Sequence, residues 1–183
     1  MKIIKSYNKY LTPEIVDGCF TKGVLTSVDK VVCGNGFSTG FLNLKVRRNR
    51  MMIMIAPNRA VVEEKEQGYL EDLNRPLSHK DKVYHSQNRI KFFYGDSFDD
   101  NFDDADILVF VADSFIMRGD AVSQIAHRID KVLLDEIHST HQQSLYRNIL
   151  VDFENRVVSR FPENVALVSV TASPILLNRV DIK

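Results

Sequence analysis

The sequence has no surplus of either charge. Lys and Arg total 24, as do Asp and Glu, so the formal net charge is zero. That excludes the global basic signature of a nucleic-acid binder and leaves only local patches for such a role. Cysteine is scarce: Cys19 and Cys33 are the two present, with no CxxC spacing. A zinc cluster is therefore excluded, and a reducing, cytoplasmic setting fits better than a disulfide framework. No apolar run approaches the about 18 residues of a transmembrane helix, so no membrane association is expected. The Met1–Tyr10 segment carries Lys2, Lys5 and Lys9 without an apolar core, unlike a secretory signal. Internal repeats and low-complexity tracts are absent.

What is present is ordinary for a globular chain: 183 residues, 44% hydrophobic and 26% charged. That length favours one domain with a real core. Five apolar segments stand out: Lys30–Cys33, Met51–Ala56, Asp106–Val111, Lys131–Leu134 and Val165–Val170. They are continuous rather than alternating, as expected of strands buried on both faces of a parallel sheet. Helical stretches fall between them. The clearest is Thr140–Phe161, with Leu145, Ile149, Phe153 and Val157 on one stripe, a capping-box start at Ser139 or Thr140, and Pro162 as its stop. The pattern predicts an α/β fold, a three-layer parallel sheet flanked by helices. Glu66–Tyr84 is polar, contains Pro76, and reads as a long surface excursion. Phe98–Asp106 is acidic and reads as a solvated loop or helix.

Ligands of open α/β sheets bind beyond the carboxyl ends of the strands, so chemistry is sought there. The first apolar segment runs into Gly34-Asn35-Gly36-Phe37-Ser38-Thr39. Phosphate loops need glycines, a helix start, a lysine and a hydroxyl. Gly34 and Gly36 fit the first need and Ser38 or Thr39 the last. Phe37 stands at the lysine position, and Gly-Asn-Gly is also a common turn. The fourth segment ends in Asp135-Glu136-Ile137-His138. Adjacent carboxylates there suit magnesium-nucleotide chemistry, one holding the metal and the other polarising water. A turn with capping acids is the plain alternative. His138 and His141 lack further ligands for a metal site of their own. Pro57-Asn58-Arg59, Asp113-Ser114 and Thr171-Ala172-Ser173 follow the other three segments, each an ordinary turn or cap taken singly.

Taken in order, these segments resemble the first RecA-like domain of superfamily-two helicases of the DEAD/DEAH-box type, a P-loop NTPase. Val31–Ser38 is similar to motif I, Ala56–Ala60 to motif Ia, and Val111–Phe115 to the later backbone-contacting element. Asp135-Glu136-Ile137-His138 matches motif II in its DExH form, and Thr171-Ala172-Ser173 resembles motif III.

The resemblance implies ATP and Mg2+ as ligands. Gly34, Asn35, Gly36, Phe37, Ser38 and Thr39 would line the nucleotide site. Asp135 and Ser38 would hold the metal, and Glu136 would act as general base beside Asp135. Pro57, Asn58, Arg59, Asp113 and Ser114 would face a single strand of DNA or RNA. His138, Thr171, Ala172 and Ser173 would couple the two sites.

Two departures qualify these implications. Phe37 makes the Walker A motif degenerate and implies weakened ATP binding. No neighbour in sequence replaces the lysine, because Lys45, Arg47 and Arg48 lie about two or more turns along the expected helix. The cluster Lys45, Arg47, Arg48 and Arg50 reads instead as a solvated helix end. Second, residues 1–183 read as one ATP-binding domain without a second motor domain, which would come from the same or another chain. The expectation is a helicase or translocase domain with no turnover in isolation. The alternative is a pseudo-ATPase module that binds nucleic acid or protein.

Overall fold

The computed structural model describes residues 2–6, 11–30, 34, 36–76, 83–84, 88–95, 100–136, 163 and 165–171. Among the described residues, seven strands form one sheet: β1 (Lys2–Ser6), β2 (Leu25–Lys30), β3 (Met51–Ala56), β4 (Ile90–Phe93), β5 (Ile107–Val111), β6 (Ile129–Asp135) and β7 (Ala166–Thr171). Their order is β1-β2-β7-β6-β3-β5-β4, and every pairing is parallel.

The apolar runs are continuous because both faces of the sheet are covered. Along β3, Met52 and Met54 join a core cluster with Val16, Phe41, Val62 and Tyr69. Met51, Ile53 and Ile55 point the other way, into a cluster with Phe110, Phe115 and Val122. Helices α1 (Pro13–Asp17), α2 (Phe37–Leu42) and α3 (Arg59–Leu73) therefore cover one face. Helices α4 (Ala112–Met117) and α5 (Gly119–Gln124) cover the other. Each apolar side chain buried this way is worth about 1.5–3 kcal/mol over leaving it exposed. The α/β three-layer expectation is met.

Several boundaries differ from the sequence reading. Edge strand β1 holds only Ile3 and Ile4 between lysines, Lys91 breaks the apolar run of β4, and β2 begins at Leu25, earlier than expected. Part of the polar excursion is helix: α3 runs to Leu73 because Asn58 caps it and its residues are mostly good helix formers. It buries only Val62, Tyr69 and Asp72, too narrow a stripe to show as periodicity. Asp72 then clips the returning chain. Its carboxylate accepts from the backbone N–H groups of Val83 (2.7 Å) and Tyr84 (2.8 Å) and from Arg75 Nη1 (3.0 Å).

The expected helix Thr140–Phe161, with Ser139 and Pro162, lies outside the described residues. So do Asn35, His138, His141, Ala172 and Ser173.

Candidate nucleotide site

In an all-parallel sheet the carboxyl ends of all strands share one edge. The register places Asp29 beside Thr171, Val170 beside Asp135, Leu134 beside Ile55, and Ala56 beside Val111. The segments following β2, β7, β6, β3 and β5 thus leave from a single rim, the usual ligand side of such folds.

Gly34 and Gly36 have φ of 71° and 78°. A Cβ at either would meet nothing within 4 Å, so the backbone conformation and not crowding calls for glycine. Gly36 occupies the N-cap of α2, and its carbonyl accepts from Gly40 N–H at 2.7 Å. Phe37 opens the helix with its side chain 2% exposed, inside the core cluster that holds Phe41 and Val16. Thr39 is half-buried.

Ser38 is buried, and its hydroxyl donates to Asp135 Oδ2. The first turn of α2, just after the glycine turn, is therefore in direct contact with the Asp135 carboxylate. Lys30, the last residue of β2, completes the cluster. Its Nζ lies 3.3 Å from Asp135 Oδ1 and 2.6 Å from Glu136 Oε1. One ammonium thus bridges both carboxylates. Lys30 is 7% exposed and Asp135 5%. Burial pushes the Lys30 ammonium down, but the charges and hydrogen bonds of Asp135 and Glu136 outweigh it, so its pKa lies above the ordinary lysine value and it stays charged. Lys65 on α3 faces the same group. Burial lowers its pKa, the charge of Asp135 raises it, and that of Lys30 opposes it.

Desolvating such ions costs on the order of several kcal/mol each, so a buried ion triad is weak evidence for stability. Glu136 adds backbone strain: its φ is 48°, and its N–H donates to Val170 O at 2.9 Å. A non-glycine residue held in the left-handed region costs about 1–3 kcal/mol and is typical of functional sites.

Oxygen donors from Asp135, Ser38 and Glu136 suit magnesium, which characteristically takes one or two carboxylates and leaves positions for phosphate and water. Among the described residues, no group of three or more His, Cys, Asp and Glu suggests a different metal centre.

The remaining rim residues divide. Asn58 Oδ1 accepts from Val61 N–H at 3.1 Å and caps α3. Arg59 is exposed, paired with Glu63 (Nε to Oε1, 2.6 Å) and set 5.2 Å above the Tyr94 ring. Pro57 is half-buried beside them, and Asp113 is exposed at the start of α4. Ser114 is buried, so its side chain is withdrawn from the surface. Lys45, Arg47, Arg48 and Arg50 lie beyond the end of α2 in the loop before β3, at the opposite edge of the sheet. Arg47 there reaches Asp130 at 3.8 Å, and Arg50 donates to His127 O at 2.8 Å.

The same architecture occurs in known helicases. S. cerevisiae Dbp5, a DEAD-box helicase, in a variant form bound to a Gle1 variant and IP6, matches with a TM-score of 0.62 and 15% identity over 87% of this chain and 39% of that one. Dbp5 bound to RNA and ADP BeF3 matches with a TM-score of 0.55 and 14% identity over 93% of this chain and 36% of that one. The fold is RecA-like. The chain spans under two fifths of the length of the Dbp5 chains it matches. No family model matches it, and no curated protein does. Among the described residues, no helix is long and apolar enough to cross a membrane.

Lys30 and Lys65 escaped the sequence reading. Lys30 had one visible signal: a charged residue heading the apolar segment that runs into the glycine turn. A buried charge at a strand end must find an opposite charge, and that requirement points to the carboxylates of a neighbouring strand end.

Proposed function

We propose that this chain is the ATP-binding, first RecA-like domain of a superfamily-two helicase or translocase. The carrying observation is the Ser38–Asp135 hydrogen bond, which unites the glycine turn and the DExH carboxylates at the rim where such folds bind ligands. In this reading Gly34, Asn35, Gly36, Ser38 and Thr39 surround the phosphates, beside Phe37, and Asp135 with Ser38 holds Mg2+. The metal supplies charge neutralisation at the phosphates. Glu136 orients and deprotonates the attacking water. The exposed Arg59, with Pro57, Asn58 and Asp113, would face a DNA or RNA strand, whereas the buried Ser114 would take no direct part through its side chain. His138, Thr171, Ala172 and Ser173 link the two sites. A second RecA-like domain, in the same or another chain, would complete the motor; with Phe37 at the lysine position, residues 1–183 alone bind ATP weakly and show no measurable turnover.

The deciding experiment is calorimetric titration of the pure chain with ATP, with and without Mg2+. Magnesium-dependent binding that Asp135→Ala abolishes supports the assignment. No binding under either condition rejects it in favour of a module that keeps the fold for nucleic acid or protein. Salt-sensitive single-strand binding that is weakened by Arg59→Ala supports the strand contact; binding indifferent to that change removes Arg59 from it.

A further inference from the structure

We propose that Lys30 is the phosphate-gripping lysine of this site, supplied from the end of β2 instead of from the glycine turn. The inference rests on the nucleotide-site assignment above.

A phosphate loop without a lysine offers the outer phosphates no side-chain cation of its own and leaves the metal alone to offset the nearby carboxylates. Position 37 cannot provide that cation, because its side chain is a phenyl ring packed in the core. Lys30 is a charged side chain that the fold holds at the rim at a considerable desolvation cost. Its Nζ contacts both Asp135 and Glu136, and Asp135 in turn accepts from Ser38 at the start of α2. A single carboxylate therefore separates the ammonium from the hydroxyl that opens the helix.

Lys30 pairs with both members of the acidic pair. A divalent cation held by Asp135 would supply the charge that offsets the carboxylates, and the flexible stem of Lys30 would let its ammonium reach the outer phosphates. Lys65 on α3, which feels the charges of Asp135 and Lys30, is the competing candidate that the test must separate.

The test uses the full chain and compares Mg2+-ATP with Mg2+-ADP binding in the wild type, Lys30→Met and Lys30→Arg. Lys30→Met is expected to weaken ATP binding by roughly tenfold to a hundredfold, the scale of one charge-assisted hydrogen bond. ADP binding should fall less, and Lys30→Arg should recover much of the loss. Equal ATP and ADP affinities in the wild type and Lys30→Met would overturn the role of Lys30 while leaving the nucleotide site intact. A wild type that binds neither nucleotide overturns the site assignment itself.

Because Lys30→Met could unfold the chain, a second measurement uses the wild type alone. An ATP acyl-phosphate probe is attacked at its acyl carbonyl by the nearest lysine amine. The ammonium first gives up a proton to solvent; the amine then forms an amide with loss of a second proton, the acyl–phosphate bond breaks, and ATP leaves. Acylation of Lys30, located by peptide mass spectrometry and suppressed by excess ATP, is expected. Acylation of Lys65 with Lys30 unmodified would overturn the proposal.

Discussion

The Ser38 hydroxyl donates to Asp135 across 97 positions of sequence, from the first turn of α2 to the end of β6. Both residues are buried, so this bond ties the glycine turn to the central strand in a region from which water is largely excluded. Ser38→Ala would leave a buried carboxylate oxygen without that donor. Hydrogen bonds to charged groups contribute about 1.5–3 kcal/mol, and a loss of that order in urea unfolding is expected. On the proposed assignment, the magnesium-dependent part of ATP binding falls as well. Unchanged stability would show that the bond contributes nothing net.

Phe37 behaves as a core residue. Phe37→Ala is expected to cost about 3–5 kcal/mol, and Phe37→Leu, which leaves a smaller cavity, less than that, measured by chemical denaturation. Phe37→Lys would press an ammonium into the same apolar cluster, so its melting temperature should fall. A Phe37→Lys protein as stable as the wild type, with tighter ATP binding, would show that the ring is dispensable and that the turn still accepts a lysine.

Gly40 lets α2 lie close against α1. A Cβ at Gly40 would sit 2.8 Å from Val16 Cγ2, and Val16 is itself fully buried. Gly40→Ala gains up to about 1 kcal/mol of helix propensity but overpacks this contact at about 1–3 kcal/mol. Net destabilisation is expected, with partial recovery on adding Val16→Ala. A stabilised Gly40→Ala protein would mean the helices separate without cost.

Asp72 makes the domain acid-sensitive. Burial pushes its carboxyl up, but the N–H groups of Tyr84 and Val83, with Arg75, hold it below the usual aspartate value of 3.8. A carboxyl whose folded pKa is depressed stabilises above its unfolded pKa and loses that contribution as pH falls through the folded value. The Asp72 contribution is thus constant at neutral pH and disappears below about pH 4. Asp72→Ala, which strands buried donors, should cost about 1–3 kcal/mol at pH 7 and flatten the acid side of the stability profile. An identical acid limb in wild type and variant would exclude Asp72 as its source.

Local chemistry made much of this domain legible from the chain. Met51–Ala56 can be buried on both faces only as a central strand. Asp135-Glu136 and the glycine turn each follow an apolar run, and the complete order of the five segment ends resembles a helicase motor domain. Strand edges and narrow helix stripes left fainter marks, which is why β1, β4 and the extent of α3 emerged only with the fold. Pairings between distant positions leave no local trace at all. Parallel packing of β2, β7 and β6 brings Lys30 to Asp135 and Glu136, 105 residues from the former. The sequence determined that a lysine is missing from the glycine turn. Only the tertiary structure, by forcing a buried charge to find its counter-ions, decided which cation stands at the carboxylates.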